Sequence, residues 1–276
     1  MNGIVRSRHR GIPAQDGAGV KLTRIINQPS LRHQDPFLML DEFRSDNPND
    51  YIAGFPPHPH RGFVTLTYML AGQMAHEDSE GNSGVVGAGG AQWMKAARGI
   101  IHGEMPKQED GLMWGFQLWI NLPAAEKMSP AEWADHPEHS VPKIVYGDSE
   151  IRLIAGELEG NRGPVQQQGQ RFLMADLRFS DNTAIPVFSA GQASRLAYVY
   201  QGSVRINGES VERGELVRLD ADSNLTISAA AVPAGMILLA GEPIGEPIAQ
   251  YGPFVMNTQA EIEQAIRDYQ QGRLTG

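Results

Sequence analysis

Two histidines separated by one residue stand in a proline-rich segment, FPPHPHRGF, at residues 55–63. In an extended chain residues i and i+2 point to the same face, so the side chains of His58 and His60 should lie side by side. Pro59 between them has no N–H to lose from a sheet and faces away. One interpretation of the segment is a surface turn, and the other is half of a metal site.

A second pair of side chains with metal-binding chemistry occurs in GIIHGEMP, at residues 99–106. His102 and Glu104 are again i and i+2, so the chain carries H-x-H and, 41 residues later, H-x-E. Three imidazoles and one carboxylate suit a divalent transition metal, and an octahedral ion would keep two positions open for reactants. The spacing therefore predicts a reactive metal site formed by His58, His60, His102 and Glu104. The alternative is that these are ordinary core histidines.

Short segments of alternating apolar and polar residues must position these side chains. They include GFVTLTYML at 62–70, MWGFQLWINL at 113–122, RLAYVYQG at 195–202 and GMILLAGEP at 235–243. Many short strands between turn residues are typical of an all-β sandwich or barrel. If no bulge intervenes, the face that carries His58 and His60 continues through Val64 and Leu66 into the interior of a barrel.

Two stretches of the sequence predict helices. Residues 129–136, SPAEWADH, offer Ser129 as an N-cap and a proline at the first helical position. Near the C-terminus Thr258 and Glu261 form a capping box, and Gly272 can end the helix that follows it. The second of these helices should pack its apolar stripe against the body of the protein.

A faint internal repeat divides the chain in half. The pattern L-x-Y-x-x-x-G occurs at 66–72 and again at 196–202, an offset of 130 residues. A repeat at half the chain length indicates two tandem β domains. The expected fold is all-β, with two tandem β-barrel (jelly-roll) domains at residues 1–140 and 141–276 and a short C-terminal helix in the second domain.

The second of these domains lacks the residues for a histidine-based metal site. Moving the first histidine pair by 130 residues leads to Phe188 and Ala190, and no histidine follows His139. One metal per chain, held in the N-terminal domain, is therefore expected. His76, in the segment MAHEDSEG between the two metal motifs, is compatible both with a surface hairpin and with a position near the mouth of the pocket.

Composition excludes several classes of function. The net charge of −9 argues against direct binding of nucleic acid, which needs lysine and arginine to neutralise phosphates. No window of 18 apolar residues indicates a membrane span, and the N-terminus lacks the apolar region of a secretory signal. The absence of cysteine excludes disulfides, thiolate nucleophiles and cysteine-bound zinc. A cytoplasmic location is the simplest expectation.

Four segments together resemble the pirin family of the cupin superfamily: DPFLMLDEF, FPPHPHRGF, GAGGAQWMKAARGIIHGEMP and GPFVMNTQAEIEQAIRDYQQG. The resemblance implies a bicupin whose N-terminal cupin holds one metal on three histidines and one glutamate. The metal is usually iron, and Mn, Ni, Co, Cu or Zn would suit the same donors. The implied ligands fall on His58, His60, His102 and Glu104. Val64 is a departure, because pirins commonly have glutamate there, and it implies less polar surroundings for the metal.

The resemblance also implies two kinds of function. Some pirins have quercetin 2,3-dioxygenase activity, so one expectation is cleavage of a small aromatic flavonol by O2, with Glu104 as the base for the flavonol 3-hydroxyl proton. The alternative is a metal-dependent co-regulator that binds protein partners, in transcription or central metabolism, without turnover of its own. Neither expectation involves direct contact with nucleic acid or a membrane.

Overall fold

The computed structural model describes residues 4–166, 171–187 and 193–275, and within these ranges the chain forms 24 strands and one α-helix. The strands up to residue 136 are β1 (Val5–Arg10), β2 (Ile12–Asp16), β3 (Val20–Ile26), β4 (Phe37–Ser45), β5 (Phe55–His60), β6 (Phe63–Ala71), β7 (Gln73–Asp78), β8 (Ser83–Gly87), β9 (Ala91–Lys95), β10 (Ile100–Pro106), β11 (Met113–Asn121) and β12 (Glu132–His136). The later elements are β13 (Lys143–Tyr146), β14 (Ser149–Ala155), β15 (Glu157–Leu158), β16 (Asn161–Arg162), β17 (Phe172–Phe179), β18 (Ile185–Val187), β19 (Ser194–Ile206), β20 (Glu209–Glu212), β21 (Glu215–Leu219), β22 (Leu225–Gly241), β23 (Ala249–Tyr251), β24 (Phe254–Met256) and α1 (Gln259–Gln270). Single turns of 3-10 helix lie at Pro48–Asp50, Ala124–Glu126 and Glu138–Ser140. The predicted all-β fold is confirmed, and Phe188 and Ala190 lie outside the described residues.

The chain divides into two compact units, each formed by three separate segments of the chain. The first unit consists of Ile12–Gln28, Pro36–Glu138 and Ile244–Gly276, and the second consists of Met1–Gly11, Pro29–Asp35 and His139–Pro243. The change of unit after Glu138 falls close to residue 140. The ends of the chain differ from the expected division, because β1 pairs with β21 of the second unit and α1 belongs to the first unit.

Two large antiparallel sheets form most of the first unit, and the short pair β23-β24 forms a third. One large sheet has the strand order β12-β9-β6-β11-β4-β3-β2, and the other has the order β5-β10-β7-β8. Strands β6 and β11 are buried along most of their length, which explains their apolar sequences. An apolar cluster that includes Tyr51, Met69, Met74 and Met113 fills part of the interior.

The C-terminal helix α1 forms as its capping signals predict. The backbone N–H of Glu261 donates to Thr258 Oγ1, and the Glu261 carboxylate accepts from the backbone N–H of Thr258, so the capping box is complete. Ile262 and Ala265 are fully buried and pack in one cluster with Leu274. The helix therefore fastens the end of the chain to the first unit.

The helix predicted over 129–136 is wrong. Ser129 Oγ donates to the carbonyl of Glu126 instead of capping a helix, and strand β12 follows, paired antiparallel with β9. In this pairing Trp133 lies opposite Met94 and packs on it. Edge pairing on the sheet and burial of the Trp133 ring outweigh the local helix signals.

The second unit is built around a single large sheet with the strand order β1-β21-β19-β22-β17-β14-β13. Asn207 and Gly208 join β19 to β20 with φ angles of 48° and 87°, which is the tight hairpin that an Asn-Gly pair favours. Its interior is an aliphatic cluster that includes Leu177, Val199 and Met236. Across the described residues of both units, no helix combines the length and apolar character needed to cross a membrane.

Candidate metal centre

Strands β5 and β10 bring the two sequence motifs together. They pair antiparallel, with His58 opposite His102 and His60 opposite Ile100. Opposite residues of an antiparallel pair share a face of the sheet, so the histidines of both motifs meet on one side. The register shifts between His102 and Glu104, which places an irregularity of the ladder beside the site.

Three imidazole nitrogens converge at this place. One ring nitrogen each from His58, His60 and His102 lies within 4.8 Å of the other two, and the Nε2 atoms of His58 and His60 are 3.0 Å apart. Among the described residues this is the one group of three or more potential ligands with that geometry. Three imidazole nitrogens that converge in this way are placed to share a bound cation.

The protonation of these rings also suits a cation. His58 Nδ1 lies 2.8 Å from the carbonyl of Pro56 and donates to it, which leaves Nε2 as a lone pair. Burial and the nearby imidazoles lower the pKa of His60 and of His102 well below the usual value, so both are neutral near pH 7. His102 Nε2 is buried without a hydrogen-bond partner. An unpartnered buried acceptor needs an explanation, and a metal ion supplies one.

Glu104 lies beside this group without being part of it. Its Oε1 is 2.9 Å from Thr67 Oγ1, and its Oε2 accepts from Gln117 Nε2 at 3.2 Å. Thr67 Oγ1 is also 2.6 Å from Gln117 Oε1, and its single proton can serve only one of the two acceptors at a time. The carboxylate is thus held inside the unit by polar partners, and its role as fourth ligand stays a prediction.

The predicted position of Val64 beside the metal is wrong. Strand β5 ends at His60, the chain turns at Gly62 with φ of 92°, and β6 begins at Phe63 in the other sheet, so the alternation of faces does not continue. The Phe63 ring centroid is 5.0 Å from that of His60, and Thr67 reaches Glu104. The odd-numbered residues of β6 therefore face the site, and Val64 faces away from it.

Aromatic side chains cover one flank of the histidines. The ring centroid of Trp119 is 5.2 Å from His60 and 4.3 Å from Phe63. Sequence reasoning missed Trp119 and Phe63, as well as Thr67 and Gln117. Alternate residues of a strand share a face, so counting every second residue from Phe63 in β6 finds Thr67. The same alternation in β11 groups Gln117 with Trp119.

His76 is buried, and it extends the site away from the metal position. Its side chain is fully buried, with Nδ1 3.3 Å from His102 Nδ1 and Nε2 3.3 Å from Asp78 Oδ2. The surface-hairpin interpretation of His76 is therefore wrong, because its side chain points inward although the hairpin turn after it is exposed. Asp78 was not recognised from sequence, although His76 and Asp78 are another i, i+2 pair.

Two buried cations hold the turn that follows the first histidine pair. Arg61 donates to Asp268 Oδ2 at 2.7 Å and to the carbonyl of Leu274 at 3.2 Å. Lys127 Nζ donates to the carbonyl of Gly62 at 2.7 Å. Both side chains are almost fully buried, so the end of the chain and the segment after β11 fix the position of β5.

Comparisons with known proteins agree with this geometry. The Pirin family model matches residues 19–120, and the model of the Pirin C-terminal cupin domain matches residues 174–275. A Pseudomonas aeruginosa protein with a provisional name as a quercetin 2,3-dioxygenase is 47% identical over 274 residues, which is 96% of both chains. A pirin-like protein of Caulobacter vibrioides is 42% identical with the same coverage. The crystal structure of a quercetin 2,3-dioxygenase from Acinetobacter baumannii superimposes with a TM-score of 0.91 at 29% identity, covering 98% of this chain and 97% of that one.

Proposed function

The chain belongs to the pirin family, and on that premise we propose that it is a metal-dependent dioxygenase of the quercetin 2,3-dioxygenase type. The observation that carries the proposal is the convergence of the nitrogens of His58, His60 and His102 within 4.8 Å. The similarity to a quercetin 2,3-dioxygenase structure over almost the whole chain supports the choice of reaction. The substrates are a flavonol and O2.

The proposed ligands are the three histidines together with Glu104. Neutral nitrogen donors with one carboxylate suit Fe(II), which we propose as the native metal, and also suit neighbouring divalent transition metals. When bound, the metal would supply Lewis acidity towards the flavonol 3-hydroxyl and a redox centre for O2. His58, on the half-buried side of the group, lies closest to solvent, which favours entry of the substrate from that side.

Glu104 is the proposed proton acceptor. Deprotonation of the flavonol 3-hydroxyl needs a base that is already oriented, and Gln117 together with Thr67 holds the Glu104 carboxylate in one place. The flanking rings of Phe63 and Trp119 offer an apolar surface suited to a planar aromatic substrate. Glu104 would return the proton to the carboxylic acid group of the product.

The overall reaction balances without an external reductant. One flavonol and one O2 give one phenolic ester and one CO, with two C–C bonds of the central ring and the O–O bond broken. Both atoms of O2 enter the ester, and the carbon that carries the 3-hydroxyl leaves as CO. Release of CO in a ratio of one to each O2 consumed is therefore the diagnostic of this activity.

The test is an anaerobic titration of the Fe(II)-treated protein with quercetin, followed by admission of O2 and detection of CO. We expect equal amounts of O2 consumed and CO released, with turnover lost in Glu104→Gln and metal binding lost in His58→Ala. His139→Ala, which removes an exposed histidine of the second unit, is the matched control and should behave as wild type. Tight metal binding by the wild type with no consumption of O2 would refute the dioxygenase.

A further inference from the structure

Two buried side chains beside the proposed metal centre, His76 and Asp78, have no direct part in the proposed reaction. His76 and Asp78 lie on β7, which pairs antiparallel with β10 so that Asp78 is opposite His102 and His76 is opposite Glu104. The four side chains therefore share one face of the sheet. Two of them belong to the proposed metal centre, and the other two need a reason to be buried there.

Asp78 is fixed as a hydrogen-bond acceptor by its own turn. Its Oδ1 accepts from the backbone N–H groups of Glu80 at 3.0 Å and of Asn82 at 2.9 Å, and its Oδ2 accepts from Asn82 Nδ2 at 2.9 Å. Ser79 ties the turn to β10, with its N–H donating to the carbonyl of Ile101 and its Oγ accepting from the N–H of Ile101. A carboxylate surrounded by donors on a fixed turn can only accept from His76.

The direction of each hydrogen bond follows from this carboxylate. Because Asp78 Oδ2 is an acceptor, His76 Nε2 carries a proton, and in the singly protonated ring Nδ1 is then a lone pair. That lone pair faces His102 Nδ1 at 3.3 Å, so His102 must carry its proton on Nδ1. The remaining nitrogen of His102 is Nε2, the buried atom without a hydrogen-bond partner.

We propose that Asp78 and His76 are positioning residues that fix His102 in the Nδ1–H tautomer and aim its Nε2 at the metal position. Partners of this kind raise the affinity of a metal site by orienting a ligand and selecting its tautomer. The His76 ring stacks on Trp133, with centroids 5.6 Å apart and planes 19° apart, and this contact restricts rotation of the His76 ring. The inference rests on the proposed metal centre, but it makes a statement about metal-free protein that can be tested alone.

The first experiment therefore measures the tautomer of His102 in metal-free protein by nitrogen NMR of the imidazole side chains. We expect the Nδ1–H form in the wild type. In Asp78→Asn the new amide N–H would donate to His76 Nε2 and reverse the relay, which protonates Nε2 of His102. Asp181→Asn is the matched control, because Asp181 accepts from a comparable set of turn donors in the second unit. An Nε2–H tautomer in the wild type would overturn the inference whether or not a metal binds.

The second experiment measures the dissociation constant of Ni²⁺ by competition with a chelator. Loss of a partner of this kind weakens metal binding by about 10- to 100-fold, which we expect for Asp78→Asn and for His76→Phe. His76→Asn should recover much of the loss, since its amide oxygen can occupy the place of Nδ1 and accept from His102. Equal affinity in His76→Phe, His76→Asn and the wild type would overturn the inference, and failure of the wild type to bind Ni²⁺ would instead overturn the proposed metal centre.

Discussion

Replacing Asp268 by alanine should destabilise the first unit much more than removing another carboxylate from the same helix. Asp268 lies on α1, and its Oδ2 accepts from Arg61 Nη1 at 2.7 Å. The Arg61 side chain is 5% exposed and that of Asp268 is 17% exposed. Loss of the carboxylate leaves a buried guanidinium without its counter-charge, one residue after His60. Arg61 already lowers the pKa of Asp268, which shows that the charged form is the stabilised one.

The size of the loss in unfolding free energy depends on the hydrogen bonds that Arg61 retains in the variant. Removing one partner of a buried ion pair costs about 3–5 kcal/mol. Arg61 still donates to the carbonyls of Arg98 and Leu274, so we expect the lower end, about 3 kcal/mol. With a urea m-value of about 2–3 kcal/mol/M, the unfolding midpoint should fall by about 1–1.5 M. Glu263→Ala is the control, because Glu263 pairs with Arg267 at 4.0 Å on the exposed side of α1 and should cost at most about 0.5 kcal/mol.

Tryptophan fluorescence during urea unfolding of metal-free protein is the suitable assay, because all four tryptophans lie between residues 93 and 133, in the first unit. The double variant with Arg61→Met completes a cycle, in which Asp268→Ala should cost under about 1 kcal/mol once the guanidinium is gone. If Asp268→Ala is as mild as Glu263→Ala, the buried pair does not hold the terminal helix and the reasoning is refuted.

Three further predictions concern the site. Gly62→Ala should impair folding and metal binding, because a Cβ there would lie 1.9 Å from the carbonyl oxygen of Val255. Gly208→Ala is the control: its φ is also positive, at 87°, but a Cβ there would have no atom within 4 Å. This control should lower the free energy of unfolding in urea by only about 1 kcal/mol. Thr67→Val removes a donor beside Glu104 and should lower kcat/KM by about fivefold, the equivalent of one hydrogen bond of about 1 kcal/mol. Metal-free protein should lose stability as the pH falls below about 6.5, since burial lowers the pKa of His60 and His102 in the folded state only. Between pH 7.5 and pH 5.5 each imidazole should cost on the order of 1 kcal/mol, measured by urea unfolding.

Local sequence patterns predicted the parts of the site that lie within one strand. The i, i+2 spacing of His58 and His60 follows from strand geometry alone, and the same holds for His102 and Glu104. The capping box at Thr258 is equally local, and α1 begins where it indicates. The placement of each pair on one face of its strand and the start of α1 succeeded because they depend only on neighbours in the chain, whereas the metal-ligand roles stay a prediction.

Predictions that needed the path of the chain between elements failed. Val64 was expected beside the metal because the alternation of residues was continued from His60. The chain in fact turns at Gly62 and enters another sheet, and the apolar pattern of the sequence does not reveal this turn. The stretch around Trp133 has helix signals of its own, but its pairing with β9 depends on residues about 40 positions away. The inward position of His76 likewise depends on β10, which the sequence around His76 does not reveal.

The number of metal ions per chain follows from what fills each unit. The second unit contains an aliphatic cluster around Leu177, Val199 and Met236, and its described residues include no group of three or more histidine, aspartate or glutamate ligands. The first unit instead contains three converging imidazoles, and one buried ring nitrogen each of His60 and His102 has no hydrogen-bond partner. Native mass spectrometry of protein equilibrated with Ni²⁺ should therefore show one ion per chain, and none in His58→Ala at the same concentration. Two tightly bound ions in the wild type, one of which survives His58→Ala, would mean that donor atoms outside this group of histidines form a second site.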